Sequence, residues 1–332
     1  MRGVAIIKIG LYAAVLAAGQ LVMGPWVTER CEPEAVGELS VLAKTSPDVV
    51  FLGDSTAFMG DAADTDRRDT GGLLDAALPG VQVGAHLGPG YTLADYALQT
   101  DFLVRHGLGP AVLVVPLNMR SFSPLWHDNP FIQHEELHLF LTNDGYLFRS
   151  LYKPLATFGA FRCEMPPPET FLKQPIYDGS MKAGVAGDVW PFDKQASAER
   201  ARLLAVAHHM QPVAAQHDLL AAGKRLAAAC RAGGLRLLVY VTPVDYVTGD
   251  EVLDGRLSKQ LRENVDTAVL ALRDQGIDVM DLSFAFGPEL FRTGYYPAEE
   301  HLNERGRRRL AALLKAEVAN LLERDAPARA AG

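Results

Sequence analysis

Val49-Val50-Phe51-Leu52-Gly53-Asp54-Ser55-Thr56 is the stretch of sequence that decides the fold. Its four apolar residues predict a buried strand, and Gly-Asp-Ser-Thr ends that strand. Open α/β sheets bind ligands at the carboxyl ends of their strands, where Ser55 would present a hydroxyl and its own N–H. Gly-Asp-Ser is also common turn chemistry, so the serine needs partners elsewhere in the chain before it indicates a site.

Strand and helix patterns alternate on both sides of this stretch. Further strands are predicted at Val81–Leu87, Ala111–Leu117, Leu235–Val241 and Ile277–Leu282. Helical patterns cover Leu93–His106 with Thr92 as N-cap, Ala196–Gly233 with a break near Pro212, Arg256–Gln275 and Glu304–Arg324. Five strands separated by helices predict an α/β fold, a flavodoxin-like, doubly wound parallel sheet with strand order 2-1-3-4-5.

The predicted α/β domain covers residues 48–325 and carries an insertion. Residues 119–195, rich in aromatic residues and proline, interrupt the alternation, and we interpret them as a cap over the ligand edge with one or two helices. A polar connector with one or two helical turns is predicted at residues 32–47. Residues 57–79 are Gly- and Asp-rich and then weakly helical, and residues 326–332 form a tail.

The N-terminus carries a long uncharged segment. Residues 9–27 hold 19 residues without a charge, after Arg2 and Lys8 and ending near Trp26. This length is close to that of a bilayer-spanning helix, so residues 1–31 are predicted to be an uncleaved membrane anchor with the N-terminus inside. The catalytic domain would then lie outside the cytoplasmic membrane, in the periplasm. A cleaved signal peptide, giving a secreted protein, and a buried helix of a soluble domain are the alternatives.

Composition narrows the function classes. The 332 residues carry a net charge of −8, so no basic stripe is available to neutralise phosphates and a nucleic-acid partner is not expected. The three cysteines, Cys31, Cys163 and Cys230, form no Cys-x-x-Cys pair. An odd, sparse set implies no disulfide framework, although one bridge is compatible with it.

Three further positions offer partners for Ser55 at predicted strand ends. Gly88 or Gly90 follows the second strand and offers a backbone N–H, and Asn118 follows the third and offers an amide. Together with the Ser55 N–H, they would form an oxyanion hole. His301 precedes the last helix and is the candidate general base, with a carboxylate from Glu299 or Glu300 to orient its ring.

Gly53-Asp54-Ser55, the following glycine loop, Asn118 and the acid-plus-His301 segment together resemble the four blocks of the SGNH (GDSL-type) hydrolase superfamily. The resemblance implies Ser55 as nucleophile, His301 as base, Gly88 or Gly90 with Asn118 as oxyanion donors, and no cofactor. The family usually has aspartate three residues before the histidine, where this chain has Ala298. Glu299 instead gives an acid-x-His spacing seen among alginate-acetylation relatives. The third block also lacks the glycine that usually precedes the asparagine.

The resemblance extends to a membrane-anchored branch that acts on envelope polymers. That branch includes alginate O-acetyltransferase-like proteins and the D-alanine transfer protein of teichoic acid, and its members often work beside a membrane-bound O-acyltransferase. It implies an O-acetyltransferase or acetylesterase whose partner is a cell-envelope glycan or exopolysaccharide. The missing aspartate motivates an alternative, a catalytically weakened subunit that binds glycan or organises an acylation complex.

The sequence contains three other features that need interpretation. His134-Glu135-Glu136-Leu137-His138 matches the H-E-x-x-H zinc motif, or else it is a plain amphipathic helix. Arg120, just after Asn118, would hold an anionic acyl carrier or polymer, or pair with a neighbouring carboxylate. The arginine run of the last helix, at positions 305 and 307–309, is interpreted as solvated surface.

Overall fold

The computed structural model describes residues 11, 14–15, 18, 33–61, 63–127, 134–143, 198–292 and 297–323. The chain divides into two compact units, one of residues 1–37 and 135–165, the other of residues 38–134 and 166–332. Most of the predicted anchor, and residues 128–133 and 144–197 of the predicted insertion, lie outside the described residues. Within the described part of the chain, no helix has the length and apolar character that crossing a membrane requires.

The larger unit is built on a five-stranded sheet. Its strands are β1 (Val49–Gly53), β2 (Val83–Leu87), β3 (Val112–Leu117), β4 (Arg236–Val241) and β5 (Val279–Asp281). Their order is β2-β1-β3-β4-β5, and every neighbouring pair is parallel. The predicted α/β class, the parallel sheet and the strand order 2-1-3-4-5 are therefore confirmed.

The two edge strands are shorter than predicted. β2 starts at Val83, which pairs with Val49, so its ladder begins where the central strand begins. β5 is limited to Val279–Asp281, because it pairs only with the last three residues of β4. An edge strand has a neighbour on one side alone, so apolar sequence beyond that neighbour does not become strand.

The helices of the larger unit follow the strands. In chain order, the helices whose bounds the structure describes are α1 (Glu34–Thr45), α2 (Ser55–Phe58), α3 (Thr70–Ala77), α4 (Leu93–Arg105), α5 (Pro124–His127), α6 (Glu135–Thr142, in the smaller unit), α7 (Ala198–His209), α8 (Asp218–Gly233), α9 (Tyr246–Leu253), α10 (Arg256–Arg273) and α11 (Glu304–Glu323). Short 3-10 turns lie at Met119–Phe122 and Pro288–Leu290.

Three helical regions differ in detail from the prediction. The connector contains α1, which is twelve residues long rather than one or two turns. The break near Pro212 separates α7 from α8 by eight residues, because α8 starts only after His217 caps it through Nδ1. α9 was not predicted, and it begins where Asp245 accepts the N–H of Thr248.

Both faces of the sheet are covered. On one face Phe51, Val114 and Tyr240 pack in a core cluster with Leu310 and Leu314 of α11. On the other face, α4 packs against α8. Successive strand residues point to opposite faces, so the fully buried residues Val50, Leu52, Leu113 and Val115 serve this second layer. A sheet covered on both sides leaves its carboxyl edge as the place for polar side chains.

Arg307 corrects the interpretation of the last helix. The Arg307 side chain is buried, and its Nη1 donates to Asp64 Oδ2 at 2.7 Å and to the Leu302 carbonyl at 3.1 Å. Its Nη2 and Nε donate to the carbonyls of Asp66 and Arg68. The segment after Ser55 therefore folds over the start of α11, which explains why this arginine is not solvated surface.

Candidate active site

The Gly-Asp-Ser turn places Ser55 at the first position of α2. The strand β1 ends at Gly53, where an added Cβ would lie 2.7 Å from the Leu87 side chain, so a larger residue would require its neighbours to shift. Asp54 caps the helix, because its Oδ1 accepts the Thr56 N–H at 2.9 Å and the Thr56 hydroxyl at 2.6 Å. The Ser55 N–H then donates to no acceptor within the described residues, as expected of a first-turn N–H.

His301 lies beside this serine, although 246 positions separate them in the chain. His301 Nε2 is 3.1 Å from Ser55 Oγ. The Arg292 N–H donates to the His301 carbonyl at 3.0 Å, and the neighbouring Leu302 forms an antiparallel bridge with Phe291, which fixes the backbone here. The serine hydroxyl and the imidazole thus form the nucleophile–base contact that acyl-transfer chemistry requires.

Glu299 is the carboxylate that contacts the His301 ring. Its Oε1 accepts from His301 Nδ1, and also from the backbone N–H groups of His301 at 2.9 Å and Glu300 at 3.2 Å. Burial raises the pKa of Glu299, but the hydrogen bonds and charge of His301 outweigh it and the pKa is lowered. An ionised carboxylate on Nδ1 leaves Nε2 as the acceptor that faces Ser55.

The backbone of Ala298 explains how Glu299, only two positions before His301 in the chain, reaches the His301 ring. This residue has a left-handed backbone, with φ of 66°, and is fully buried. The reversal lets the Glu299 side chain turn back onto the backbone of the two residues that follow it. Glu299 therefore lies beside His301 Nδ1 although only one residue separates the two in the chain.

Glu300 faces away from the His301 ring. Its Oε2 lies 3.0 Å from Arg120 Nε, and its Oε1 lies 3.9 Å from His209 Nε2. Burial raises the pKa of Glu300 to about 7, more than the Arg120 charge lowers it. The choice that the sequence left open between the two glutamates therefore has a structural answer: Glu299 meets the ring, and Glu300 meets Arg120.

The candidate oxyanion donors are placed differently from one another. The Gly88 N–H donates to the Gly53 carbonyl at 3.0 Å, so it continues the β-ladder and is not available to a ligand. Gly90 has a φ of 75° and, within the described residues, its N–H donates to no acceptor. The Asn118 amide donates to Asp54 Oδ2 at 3.1 Å, which links it to the cap of the serine helix.

The H-E-x-x-H pattern does not form the helical pair that zinc binding needs. The helix α6 begins at Glu135, and His134 precedes it with a left-handed φ of 47°. The His134 ring packs edge-on against Tyr91, with centroids 4.9 Å apart. Within the described ranges, no three His, Cys, Asp or Glu side chains are grouped in a way that would hold a metal ion.

Sequence reasoning missed several buried polar groups behind the site. His208 and His209 end α7, and both have lowered pKa values, that of His209 about 3, because burial and then the Arg120 charge disfavour the imidazolium. Arg120 stacks over the Trp126 ring, with its Cζ 4.3 Å from the centroid. Adjacent histidines at a helix end carry no sequence signal of this role, whereas the pairing of Arg120 with a carboxylate was one of the two interpretations above.

The comparisons with known proteins give a weak likeness. No family model and no curated protein matches the chain. Among solved structures, it is similar to a carbohydrate acetylesterase family member from Sinorhizobium meliloti, with 16% identity and a TM-score of 0.38 over 83% of this chain and 99% of that one. It is also similar to an α/β hydrolase from the metagenome of Lake Arreo, Spain, with 14% identity and a TM-score of 0.39 over 82% and 95%.

A third solved structure is an acetyl-xylooligosaccharide esterase from Geobacillus stearmophilus. It has 11% identity to this chain and a TM-score of 0.40, over 82% of this chain and 94% of that one. At such identities and TM-scores these likenesses carry no argument about activity. The assignment of a function therefore depends on the residues of the site and on the sequence motifs.

Proposed function

We propose that this protein is a serine-dependent acyl-transfer enzyme, an O-acetyltransferase or acetylesterase. The observation that carries the proposal is the buried chain Ser55 Oγ, His301 and Glu299, in which Nε2 lies 3.1 Å from the hydroxyl and Nδ1 meets the carboxylate. A nucleophile, a base and a group that orients the base are the three parts that such chemistry needs.

The proposed reaction begins with attack of Ser55 Oγ on the carbonyl carbon of an acyl ester. The hydroxyl proton passes to His301 Nε2 as the new C–O bond forms, and Glu299 stabilises the imidazolium that results. The ester bond then breaks, and the leaving alcohol takes that proton. A sugar hydroxyl or water next attacks the acyl-enzyme, gives its proton to His301, and releases Ser55 when the proton returns to Oγ.

Two backbone N–H groups are the proposed oxyanion donors. The Ser55 N–H and the Gly90 N–H have no acceptor among the described residues, so both can donate to a developing oxyanion. Gly88 is left out of this role, because its N–H is bonded to Gly53. The Asn118 amide has two hydrogens, of which one is bonded to Asp54, and its contribution is proposed only through the second.

The substrate and the location are proposed from the sequence. The resemblance to envelope-acting relatives supports a cell-envelope glycan or exopolysaccharide as acceptor and a membrane-bound O-acyltransferase as partner. The uncharged residues 9–27 support an N-terminal anchor in the cytoplasmic membrane with the catalytic domain in the periplasm.

The test is hydrolysis of p-nitrophenyl acetate by the full-length chain, with Ser55→Ala as the matched control. We expect a burst of p-nitrophenol, followed by slower turnover, in the wild type alone, because an acyl-enzyme forms only on Ser55. Equal rates for the two proteins would reject the serine mechanism. Equal rates together with glycan affinity that Ser55→Ala leaves unchanged would favour the weakened, glycan-binding subunit.

A further inference from the structure

The side chain of Glu300 lies in the same segment as the catalytic base but takes part in a different network. It is fully buried, and its Oε2 lies 3.0 Å from Nε of Arg120, which is also buried. The two groups form an ion pair rather than an aligned hydrogen bond. Breaking such a pair by removing one partner leaves an uncompensated buried charge, so the two side chains are held to each other.

Arg120 continues this network to the nucleophile. Its backbone N–H donates to Asn118 Oδ1 at 2.9 Å, and Asn118 Nδ2 donates to Asp54 Oδ2 at 3.1 Å. Asp54 in turn caps the helix that begins with Ser55, through its bonds to Thr56. A buried path therefore runs from Glu300 through the side chain and backbone of Arg120, and then through Asn118 and Asp54, to the turn that carries the nucleophile.

Together with the contact between His301 and Ser55, this path forms a closed ring. His301 follows Glu300 in the chain, and its Nε2 meets Ser55 Oγ at 3.1 Å. The base segment and the nucleophile turn are thus joined twice, once through the reacting groups and once through Glu300 and Arg120. The second connection involves no reacting atom, so it can set the distance between the reacting groups without taking part in the chemistry.

We propose that Arg120 and Glu300 are a positioning pair, which holds His301 at hydrogen-bonding distance from Ser55. This inference rests on the proposed function, since it assigns a further role at the same site. The pair acts through His301, and both of its side chains are buried.

The surroundings of Glu300 make the pair sensitive to its ionisation. The charged and titratable groups that face it are Arg120, His209, Asp54 and Glu299. His209 stays neutral at physiological pH, because its pKa is about 3, so Arg120 is the cation that holds the carboxylate. Burial raises the pKa of Glu300 to about 7, and the pair is at full strength only above that pH.

Two variants separate positioning from folding. Glu300→Gln removes the charge and keeps the shape, whereas the double variant Arg120→Met with Glu300→Leu replaces both charges by apolar groups. Such apolar replacement of a buried pair is often neutral or stabilising, so the double variant keeps the test open if the single variant does not fold. Arg307→Met is the control, because it breaks the other buried arginine pair near His301, with Asp64.

The readouts are a crystal structure and the kinetics of p-nitrophenyl acetate hydrolysis between pH 5 and pH 9. We expect the distance from His301 Nε2 to Ser55 Oγ to exceed hydrogen-bonding range in both variants, and kcat to fall about tenfold with KM nearly unchanged. The acid limb of log kcat should be steeper in the wild type than in Glu300→Gln, because Glu300 takes up a proton near pH 7 in the wild type alone. Arg307→Met should lower the unfolding temperature and keep the steep limb.

Failure of the inference is distinct from failure of the proposed function. If the distance stays at about 3 Å in the variants that fold, or kcat and the acid limb match the wild type, the positioning role is overturned. If the wild type is no faster than Ser55→Ala, the acyl-transfer proposal fails, and the crystal structures alone decide whether the pair sets the distance.

Discussion

Two places in the described part of this molecule hold a hydroxyl, an imidazole and a carboxylate in contact. In one, His301 joins Ser55 Oγ at 3.1 Å to Glu299. In the other, His86 on β2 joins the Tyr91 hydroxyl through Nε2 at 3.2 Å to Glu38 through Nδ1 at 2.8 Å. The distances are nearly the same, so distance alone does not identify a catalytic triad.

The surroundings distinguish the two arrangements. Glu299 is buried, whereas the side chain of Glu38 is 53% exposed and its charge is screened by water. Burial raises the pKa of Tyr91 well above its usual value, so its hydroxyl is a poor nucleophile, and burial lowers the pKa of His86 despite Glu38. Within the part of the chain that the structure describes, the Ser55 N–H also has no acceptor, so it can donate to an oxyanion. We infer that the first arrangement is a candidate for catalysis, because its carboxylate is buried and the Ser55 N–H can donate to an oxyanion, in addition to the distances.

The largest expected difference is between the two histidines. His301→Gln should lower kcat for p-nitrophenyl acetate by at least about 1,000-fold, because His301 is the base in contact with Ser55 Oγ. His86→Gln should change kcat by less than about tenfold, since it contacts no reacting group. Steady-state kinetics on folded variants decide this, and similar losses in both would remove the distinction between the two arrangements.

The two carboxylates give the next comparison. Glu299→Gln should lower kcat by about 100- to 10,000-fold, because the amide no longer fixes the tautomer or stabilises the imidazolium. Glu38→Gln should leave kcat within about twofold, as expected for an exposed partner. The same assay, with circular dichroism to verify folding, provides the measurement. A small effect at Glu299 would indicate that His301 acts without an orienting acid.

A glycine pair tests the proposed oxyanion loop. Gly90→Ala should lower kcat by up to about 100-fold, because φ of 75° strains an alanine and shifts the N–H that the oxyanion needs. Gly80 has a φ of 82° with open space around it, so Gly80→Ala carries the same backbone strain far from any proposed role. Equal losses of kcat in the two variants would show that strain alone is responsible.

The smallest expected effect concerns stability rather than rate. The pKa of Glu300 is about 7 in the folded protein and 4.5 in the unfolded reference, so folding takes up a proton between these values. The stabilisation is complete below pH 4.5 and is lost as the pH rises through about 7, by roughly 3 kcal/mol at most. Urea unfolding at pH 5 and pH 8 should show this loss in the difference between the wild type and Glu300→Gln, because the buried histidines titrate equally in both proteins. Parallel curves for both proteins would contradict it.

The fold could be predicted from the sequence where the local pattern of apolar residues is strong. The run at 111–117 predicted β3, because a strand buried on both faces is apolar throughout. The ends of β2 and β5 were not readable, since they depend on which neighbour each edge strand meets. The helix α9 was also missed, because its start depends on the cap that Asp245 provides.

The residue types of the candidate site could be predicted from the sequence, but the directions in which their side chains point could not. Ser55 was predicted because it follows the end of a strand, and His301 was predicted because its loop was expected at the same edge of the sheet. A parallel sheet brings the carboxyl ends of its strands to one edge. The side chains of Glu299 and Glu300 point in opposite directions because of the left-handed backbone of Ala298, which the spacing of the residues does not predict. The burial of Arg307 depends in the same way on a segment more than 200 residues earlier in the chain, whose Asp64 it meets.

The most direct test of the central claim is labelling of the full-length protein with a fluorophosphonate, a reagent that reacts with activated serines. Intact-mass analysis and peptide mapping should find one adduct per chain, on Ser55, with none in Ser55→Ala and much slower labelling in His301→Gln. Labelling on Tyr91, or no labelling of the wild type, would contradict the claim that the Ser55–His301–Glu299 arrangement is the catalytic one.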